Sequence, residues 1–203
     1  MTHSLERHVV AATTALRAGD VVLIPTDTVY GLAADPTSPE GMARIFTLKN
    51  RPAGLPIAVL AASTQQATSL VEPTEGFTEL AERWWPGALT LVAPIRAGLV
   101  QYATTTETLG VRVPDHPLVQ AITRAFGPIA TTSANRHGHA PVITLQEAQA
   151  LWSGELAVML DGGTLAGSAS TVVDVTGTDS TVLRQGDIDI GTNPACQHGK
   201  PSP

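Results

Sequence analysis

A single cysteine, Cys196, stands in a chain of 203 residues, so no intramolecular disulfide forms and no cysteine-rich zinc site exists. Aromatic residues are scarce as well, at 4%, which leaves small aliphatic side chains to fill the core. Lysine is rarer still: Lys49 and Lys200 are the only two, and arginine carries the remaining positive charge. No apolar run approaches the length of a membrane span. The opening MTHSLERHVVAATTALRAG is charged and amphipathic where a signal peptide would be continuously apolar. These absences predict a soluble, cytoplasmic protein with no membrane partner. The formal net charge of -6 gives no overall attraction for nucleic acid, although it leaves room for a local basic patch.

What is present reads as one globular α/β domain. The composition is 43% hydrophobic and 15% charged, and the length suits a single core. Leu5, Val9, Ala12 and Leu16 recur at helical spacing, so a helix is expected over residues 4–18, stopped by Gly19. A strand at 21–25 follows. Ser38-Pro39 reads as an N-cap with proline at the first helical position, opening a helix that ends at Lys49-Asn50-Arg51-Pro52. A strand at 57–61 comes next, then a helix from Ser63 to about Leu70 and another around Phe77, Leu80, Ala81 and Trp84. LTLVAP and GVRVP read as strands, and Asp115 is positioned to cap the helix carrying Leu118, Val119 and Ile122. Residues 129–132 form a strand, Thr144-Leu145-Gln146-Glu147 has capping-box spacing before a helix to about Trp152, and LAVML, STVVDV and TVLRQ read as strands. This alternation, strand-rich in its last third, predicts a mixed sheet flanked by helices over 1–190. The polar segment after Gly191, residues 191–203, is expected to be a disordered tail.

Four polar clusters fall at strand ends, where ligands of open α/β sheets bind. Thr26-Asp27-Thr28 follows the apolar run Val21-Val22-Leu23-Ile24; the same residues also make ordinary turns. Lys49 offers a compact charge and Arg51 a planar fork, together a grip for a triphosphate or a pair of solvated charges at a helix C-terminus. Arg112, between two valines in GVRVP, needs either a solvent-facing side or an anionic partner: a bound carboxylate or, on an edge strand, an internal acid. Ser133 and Asn135 offer a hydroxyl and an amide for ribose or phosphate, and SAN also makes an ordinary turn. There is no phosphate-binding loop of the Walker kind and no glycine fingerprint for dinucleotides. His137 and His139 lack further ligands for a metal, and no Ser-His-Asp arrangement emerges from spacing. The residues alone give an α/β domain with an anion-binding cleft.

IPTDTVYGL, KNRP, WWPGALTLV, GVRVPDHP, TTSAN, STVVDV and LRQG, in that order, resemble the YrdC/TsaC family of L-threonylcarbamoyladenylate synthases in its short, single-domain form. The resemblance runs from about residue 5 to 190. It implies a YrdC-like twisted mixed sheet with an open substrate cleft, and condensation of L-threonine, bicarbonate or CO2 and ATP into threonylcarbamoyl-adenylate and pyrophosphate. The product would serve a downstream tRNA threonylcarbamoyl transferase complex acting on adenosine beside the anticodon, with a weak tRNA contact by the synthase itself. By the family pattern Thr28, Arg112, Thr131 and Ser170 would hold threonine, with Thr26 and Asp27 shaping the loop. Lys49, Arg51, Thr108, Ser133, Asn135 and Arg184 would face ATP, with Lys49 and Arg51 neutralising phosphate charge in catalysis and Tyr30 walling the cleft. Mg2+ is expected with ATP, and no residue is assigned to it. The chain departs from the pattern at Leu55 and Leu60, where relatives often carry a polar residue and, in some, a histidine, and at Pro141, where some have a small hydroxyl. Two other readings are a non-catalytic RNA-binding module of YrdC type and an enzyme of the same fold handling another carbamoyl adenylate.

Overall fold

The computed structural model describes residues 2–52, 55–97 and 107–191; the expected tail beyond Gly191, with Cys196, lies outside them. Helices α1 (Thr2–Arg17), α2 (Pro39–Lys49), α3 (Thr64–Thr68), α4 (Glu75–Trp84), α5 (Pro117–Phe126) and α6 (Leu145–Trp152) alternate with strands β1 (Val22–Ile24), β2 (Gly31–Ala34), β3 (Ala58–Leu60), β4 (Leu89–Pro94), β5 (Thr108–Arg112), β6 (Ile129–Ser133), β7 (Val158–Met159), β8 (Thr171–Asp174) and β9 (Thr181–Arg184). These strands join one sheet in the order β7-β1-β2-β6-β3-β5-β4-β8-β9. Pairing is mixed: β1 with β7, β3 with β5 and β4 with β8 run parallel, and the remaining neighbours antiparallel. The expected sheet class is therefore the observed one.

Helix starts follow local chemistry. The Ser38 hydroxyl accepts from Gly41 N ahead of Pro39, Thr74 caps α4, and Thr144 and Glu147 complete the capping box of α6, each satisfying donors that a helix end leaves unpaired. At the end of α2, Asn50 adopts φ 49, the left-handed conformation that stops the helix and turns Arg51 back toward the sheet. Three expectations need correction. Asp115 does not cap α5: His116 takes that position and makes no side-chain cap bond. Helix α3 ends at Thr68, before Leu70, and the LAVML strand shortens to Val158–Met159.

The largest difference is β2, a strand that the apolar pattern does not predict. GLAA has no β-branched residue to announce a strand, yet all four residues are buried. β2 pairs with β1 on one side and β6 on the other, so neighbours on both edges supply what propensity does not.

Side chains alternate across the sheet, and each face has its own covering. One face carries Val59, Leu91, Val111 and Val173 against Phe77, Leu80 and Ala81 of α4, and Leu23, Leu32 and Ala130 against Ile45 of α2 and Trp152 of α6. The opposite face carries Val22, Ile24, Ala33, Ile129 and Leu60 under Leu16 of α1 and Leu118, Val119 and Ile122 of α5. Beyond those helices the same face, across β3, β5, β4 and β8, opens into a cleft. The core is built mainly from Ala, Val, Leu and Ile, as the shortage of aromatics requires.

Candidate active site

The cleft has a volume of about 580 Å³. Its floor obeys the two-residue period of the strands: Ala58 and Leu60 of β3, Thr108, Gly110 and Arg112 of β5, Thr90 and Val92 of β4, Thr131 and Ser133 of β6, and Val172 and Asp174 of β8. Lys49, Arg51, Thr28, Asn135, Ser170 and Arg184 complete the walls. The ten residues assigned to threonine or ATP from sequence therefore meet in one place: Thr28, Arg112, Thr131, Ser170, Lys49, Arg51, Thr108, Ser133, Asn135 and Arg184; Tyr30, expected to wall the cleft, is instead fully buried in the core, its hydroxyl donating to Gly163 O. Four cations and one carboxylate, Asp174, line the cleft; with Asp27 paired to Arg112 behind the wall, the local balance is an excess of two positive charges in a chain of net charge -6. That local excess draws anions into the concavity against the sign of the whole chain.

One cationic pole stands at the end of β6. Lys49 is 2% exposed, and its ammonium donates to Ser133 O and Asn135 O, both at 2.5 Å. Two of its three protons are thereby fixed, which aims the third. Burial, then the neighbouring Arg51 guanidinium, push its pKa down to about 8, because both disfavour the charged form. Arg51 donates to Thr132 Oγ1 at 3.3 Å and Pro56 O at 2.8 Å. The His137 backbone N–H is tied to Lys49 O, which brings the loop after β6 over this pole.

The second pole lies at the other end of the strands. Arg112 belongs to β5, an interior strand, and of the two anionic partners that would satisfy it the structure supplies the internal acid: Nη2 donates to Asp27 Oδ1 at 2.6 Å. Nη1 donates to Thr28 Oγ1 at 3.1 Å and Nε to Gly87 O at 2.9 Å, leaving one N–H on each Nη for a ligand. The Thr26 hydroxyl donates to Val29 O, so in the 2.9 Å contact between the two threonines Thr28 is the donor. A relay Arg112→Thr28→Thr26→Val29 O results, and the loop after β1 is set by the arginine it helps to hold. Arg184 donates to Ser170 O at 2.8 Å and Ser170 Oγ at 3.1 Å. Its pKa is lowered by burial and then by Arg112, so the two guanidinium groups sit close enough to feel each other's charge.

Five buried side-chain nitrogens and oxygens lack a partner among the described residues, and three of them, Arg51 Nε, Thr131 Oγ1 and Asn135 Oδ1, belong to the cleft. Buried polar atoms are otherwise almost always paired, with protein or with ordered water, so a water or a ligand completes the structure at these three. The Asn135 amide orientation is fixed, since Nδ2 donates to Arg136 O at 2.9 Å and His139 O at 2.6 Å. Its oxygen is therefore left to accept from a water or a ligand donor.

Thr90 is a cleft residue that the sequence does not announce. It is 4% exposed and bonds Ser170 Oγ at 3.0 Å; the alternation in LTLVAP places it on the face of Val92, but nothing in the sequence says that this face is open. Asp27, expected only to shape its loop, is in addition the counter-ion of Arg112. Leu60 lies beside Arg112 in register and is 3% exposed, whereas Leu55 is on the surface. Pro141 lines the cleft. His137 also lines it, but no group of three or more His, Cys, Asp or Glu side chains among the described residues is arranged to hold a metal ion.

A protein of Mycobacterium tuberculosis is 37% identical over 186 residues, covering 90% of this chain and 85% of its own. The threonylcarbamoyl-AMP synthase of Photobacterium profundum is 35% identical over 178 residues, 85% of this chain and 95% of that one. A crystal structure of Sua5 from Pyrococcus abyssi complexed with L-threonine superposes with a TM-score of 0.81 at 34% identity, covering 88% of this chain and 54% of that longer one. The family model Sua5_yciO_yrdC, described as telomere recombination, matches residues 14–186. With that match spanning most of its length, the chain belongs to the Sua5/YciO/YrdC family.

Proposed function

We propose that this protein is an L-threonylcarbamoyladenylate synthase, condensing L-threonine, bicarbonate or CO2 and ATP. The observation that carries the reading is the pair of cationic poles at opposite ends of one cleft, Lys49 with Arg51 and Arg112 with Arg184. Relatives bearing the synthase name and the threonine-bound neighbour support it. A surface for RNA would spread its cations outward, whereas these face a concavity.

In this mechanism the carboxylate of threonine takes the two remaining N–H groups of Arg112, beside Thr28 and Ser170. The amine nitrogen forms a bond to the one-carbon unit and loses a proton, and from bicarbonate the elements of water depart. A carbamate oxygen then attacks the α-phosphorus of ATP, the bond to the β-phosphate bridge breaks, and pyrophosphate leaves. No side chain need act as nucleophile: the cleft aligns the reactants and stabilises phosphate charge. Lys49, Arg51 and Arg184 perform the second task. Asn135 Oδ1, a buried acceptor without a partner among the described residues, fits a ribose hydroxyl or the water shell of a Mg2+ ion carried by the triphosphate. Bound with the nucleotide, that ion would neutralise charge on the phosphates, and the nucleotide itself would provide most of its ligands.

No helix among the described residues is long and apolar enough to cross a membrane. In this reading the protein acts in the cytoplasm and hands its product to a tRNA threonylcarbamoyl transferase complex. The deciding experiment follows pyrophosphate from pure protein, ATP, Mg2+ and bicarbonate with and without L-threonine. Release must depend on threonine; equal rates in both arms would reject the synthase reading.

A further inference from the structure

Between β5 and α5 the chain passes through Pro114, Asp115 and His116, and this short crossing is tied down. Arg112 O accepts from Ala61 N, Val113 O from Gly87 N and His116 O from Gln120 N, while Pro114 O accepts from the Gln120 side-chain amide at 2.9 Å. His116 is thereby held at the N-cap of α5, where its side chain makes no cap bond. Its Nδ1 is buried without a partner among the described residues. The ring is not among the residues that line the cleft, so the proposed substrates do not satisfy that nitrogen. Two carboxylates act on it: Asp27, from the loop after β1, and then Asp115 beside it in the chain. Asp27 gives Oδ1 to Arg112, and its Oδ2 accepts no hydrogen bond among the described residues. Three influences oppose a charged ring. Burial, the largest, lowers the His116 pKa below the ordinary imidazole value; the N-terminal end of the α5 dipole is positive; and Arg112 stands behind Asp27. The ring is therefore neutral near pH 7 in the free protein.

We infer that His116 is a positioning residue behind the cleft: through Asp27 and Arg112, a proton on its ring and the carboxylate of L-threonine strengthen each other's binding. The inference rests on the synthase reading for the ligand at Arg112 and extends it with a residue that no substrate touches. As a neutral imidazole, His116 leaves Asp27 to neutralise Arg112. A proton taken from solvent puts a second cation on that carboxylate, and the Nδ1–H finds an acceptor in Oδ2. The charge of Asp27 is then shared, so Arg112 offers more of its own to an anion at its two remaining N–H groups. Because the backbone from Arg112 to His116 is tied to its neighbours, the part that turns is the Asp27 side chain on its loop. The coupling is reciprocal. A carboxylate on Arg112 frees Asp27 for the ring and raises the ring's proton affinity, so L-threonine binds more tightly as pH falls and takes up a proton as it does so.

The test is calorimetric titration of the full chain with L-threonine, without ATP, from about pH 7 to about pH 5, a range in which neither end of the amino acid titrates. No binding to the wild type at any pH would reject the carboxylate site at Arg112, and with it both the synthase reading and this inference. With binding in hand, the dissociation constant of the wild type should fall about fivefold across the range, the low end of coupling between two sites. Buffers of different ionisation heat should report proton uptake. His116→Asn keeps a residue type suited to an N-cap and should show neither effect, whereas His137→Asn, which removes the imidazole that lines the cleft, should show both. If His116→Asn does not fold, imidazole NMR of the wild type reads the same coupling: saturating L-threonine should move the His116 titration upward. An equal pH dependence in the wild type and His116→Asn, or a His116 titration that L-threonine leaves in place, would overturn the assignment while the synthase reading stood.

Discussion

Replacing Asp27 by asparagine tests whether the second cationic pole is built as described. Asp27 and Arg112 are 14% and 7% exposed at their side chains and meet at 2.6 Å, so the pair is screened little by water. Removing one partner of such a pair costs about 3–5 kcal/mol. Arg112 keeps its bonds to Gly87 O and Thr28 Oγ1, and the asparagine oxygen can still accept one, which puts the expected loss near the low end, about 3 kcal/mol. For a domain of this size a loss of that order lowers Tm by about 6–12 °C. The uncompensated guanidinium would then draw harder on an anionic ligand, so L-threonine should raise the Tm of Asp27→Asn more than that of the wild type. Thermal denaturation of both proteins, with and without saturating L-threonine, reads both effects. A fall in Tm of less than about 2 °C, well short of the size-scaled expectation, would refute the claim that the ion pair is buried and structural. A threonine-induced shift smaller than in the wild type would refute the placement of a carboxylate at Arg112.

Lys49, with its pKa lowered to about 8, loses its charge as pH rises through that value. The kcat/KM for ATP should therefore fall as pH climbs past this point, and Lys49→Arg should move the alkaline limb upward if any activity survives; a profile that stays flat well into the alkaline range would contradict the buried environment. Lys49→Ala, although aimed at activity, should also destabilise by about 2–3 kcal/mol in denaturant titration, because two carbonyls lose their donor. Gly186→Ala would drive a Cβ to 2.2 Å from Ala169 O and 2.4 Å from Ser170 C. Backbone there cannot yield cheaply, so about 3 kcal/mol of stability should be lost, along with L-threonine affinity as Ser170 shifts. Tyr30→Phe removes the bond to Gly163 O at 2.9 Å and should cost about 1 kcal/mol, measured by chemical denaturation.

How far the sequence reaches can be traced in particular segments. The capping residues Ser38 of α2, Ser63 of α3 and Thr144 of α6 are legible because they act on their own turn, within three residues. So is the alternation of helix and strand, since helical and strand spacings of apolar residues are local. β2 is not legible: GLAA is a strand because β1 and β6 flank it, and β6 comes from a distant part of the chain. The partner of Arg112 is undecided in sequence for the same reason, as Asp27 is 85 positions distant. Lys49 stands out through rarity, yet its bonds to the carbonyls of Ser133 and Asn135 make it as much a brace for β6 as a ligand for phosphate.

The chain by itself thus determined its α/β class, its small-aliphatic core, most of its helix boundaries and, through seven ordered motifs, the family to which it belongs. Tertiary structure decided which face of the sheet stays bare. That choice depends on where α1 and α5 settle, a matter of packing between distant segments, and it turns Thr90, Gly110 and Ala58 from unremarkable strand residues into the floor of a reaction site.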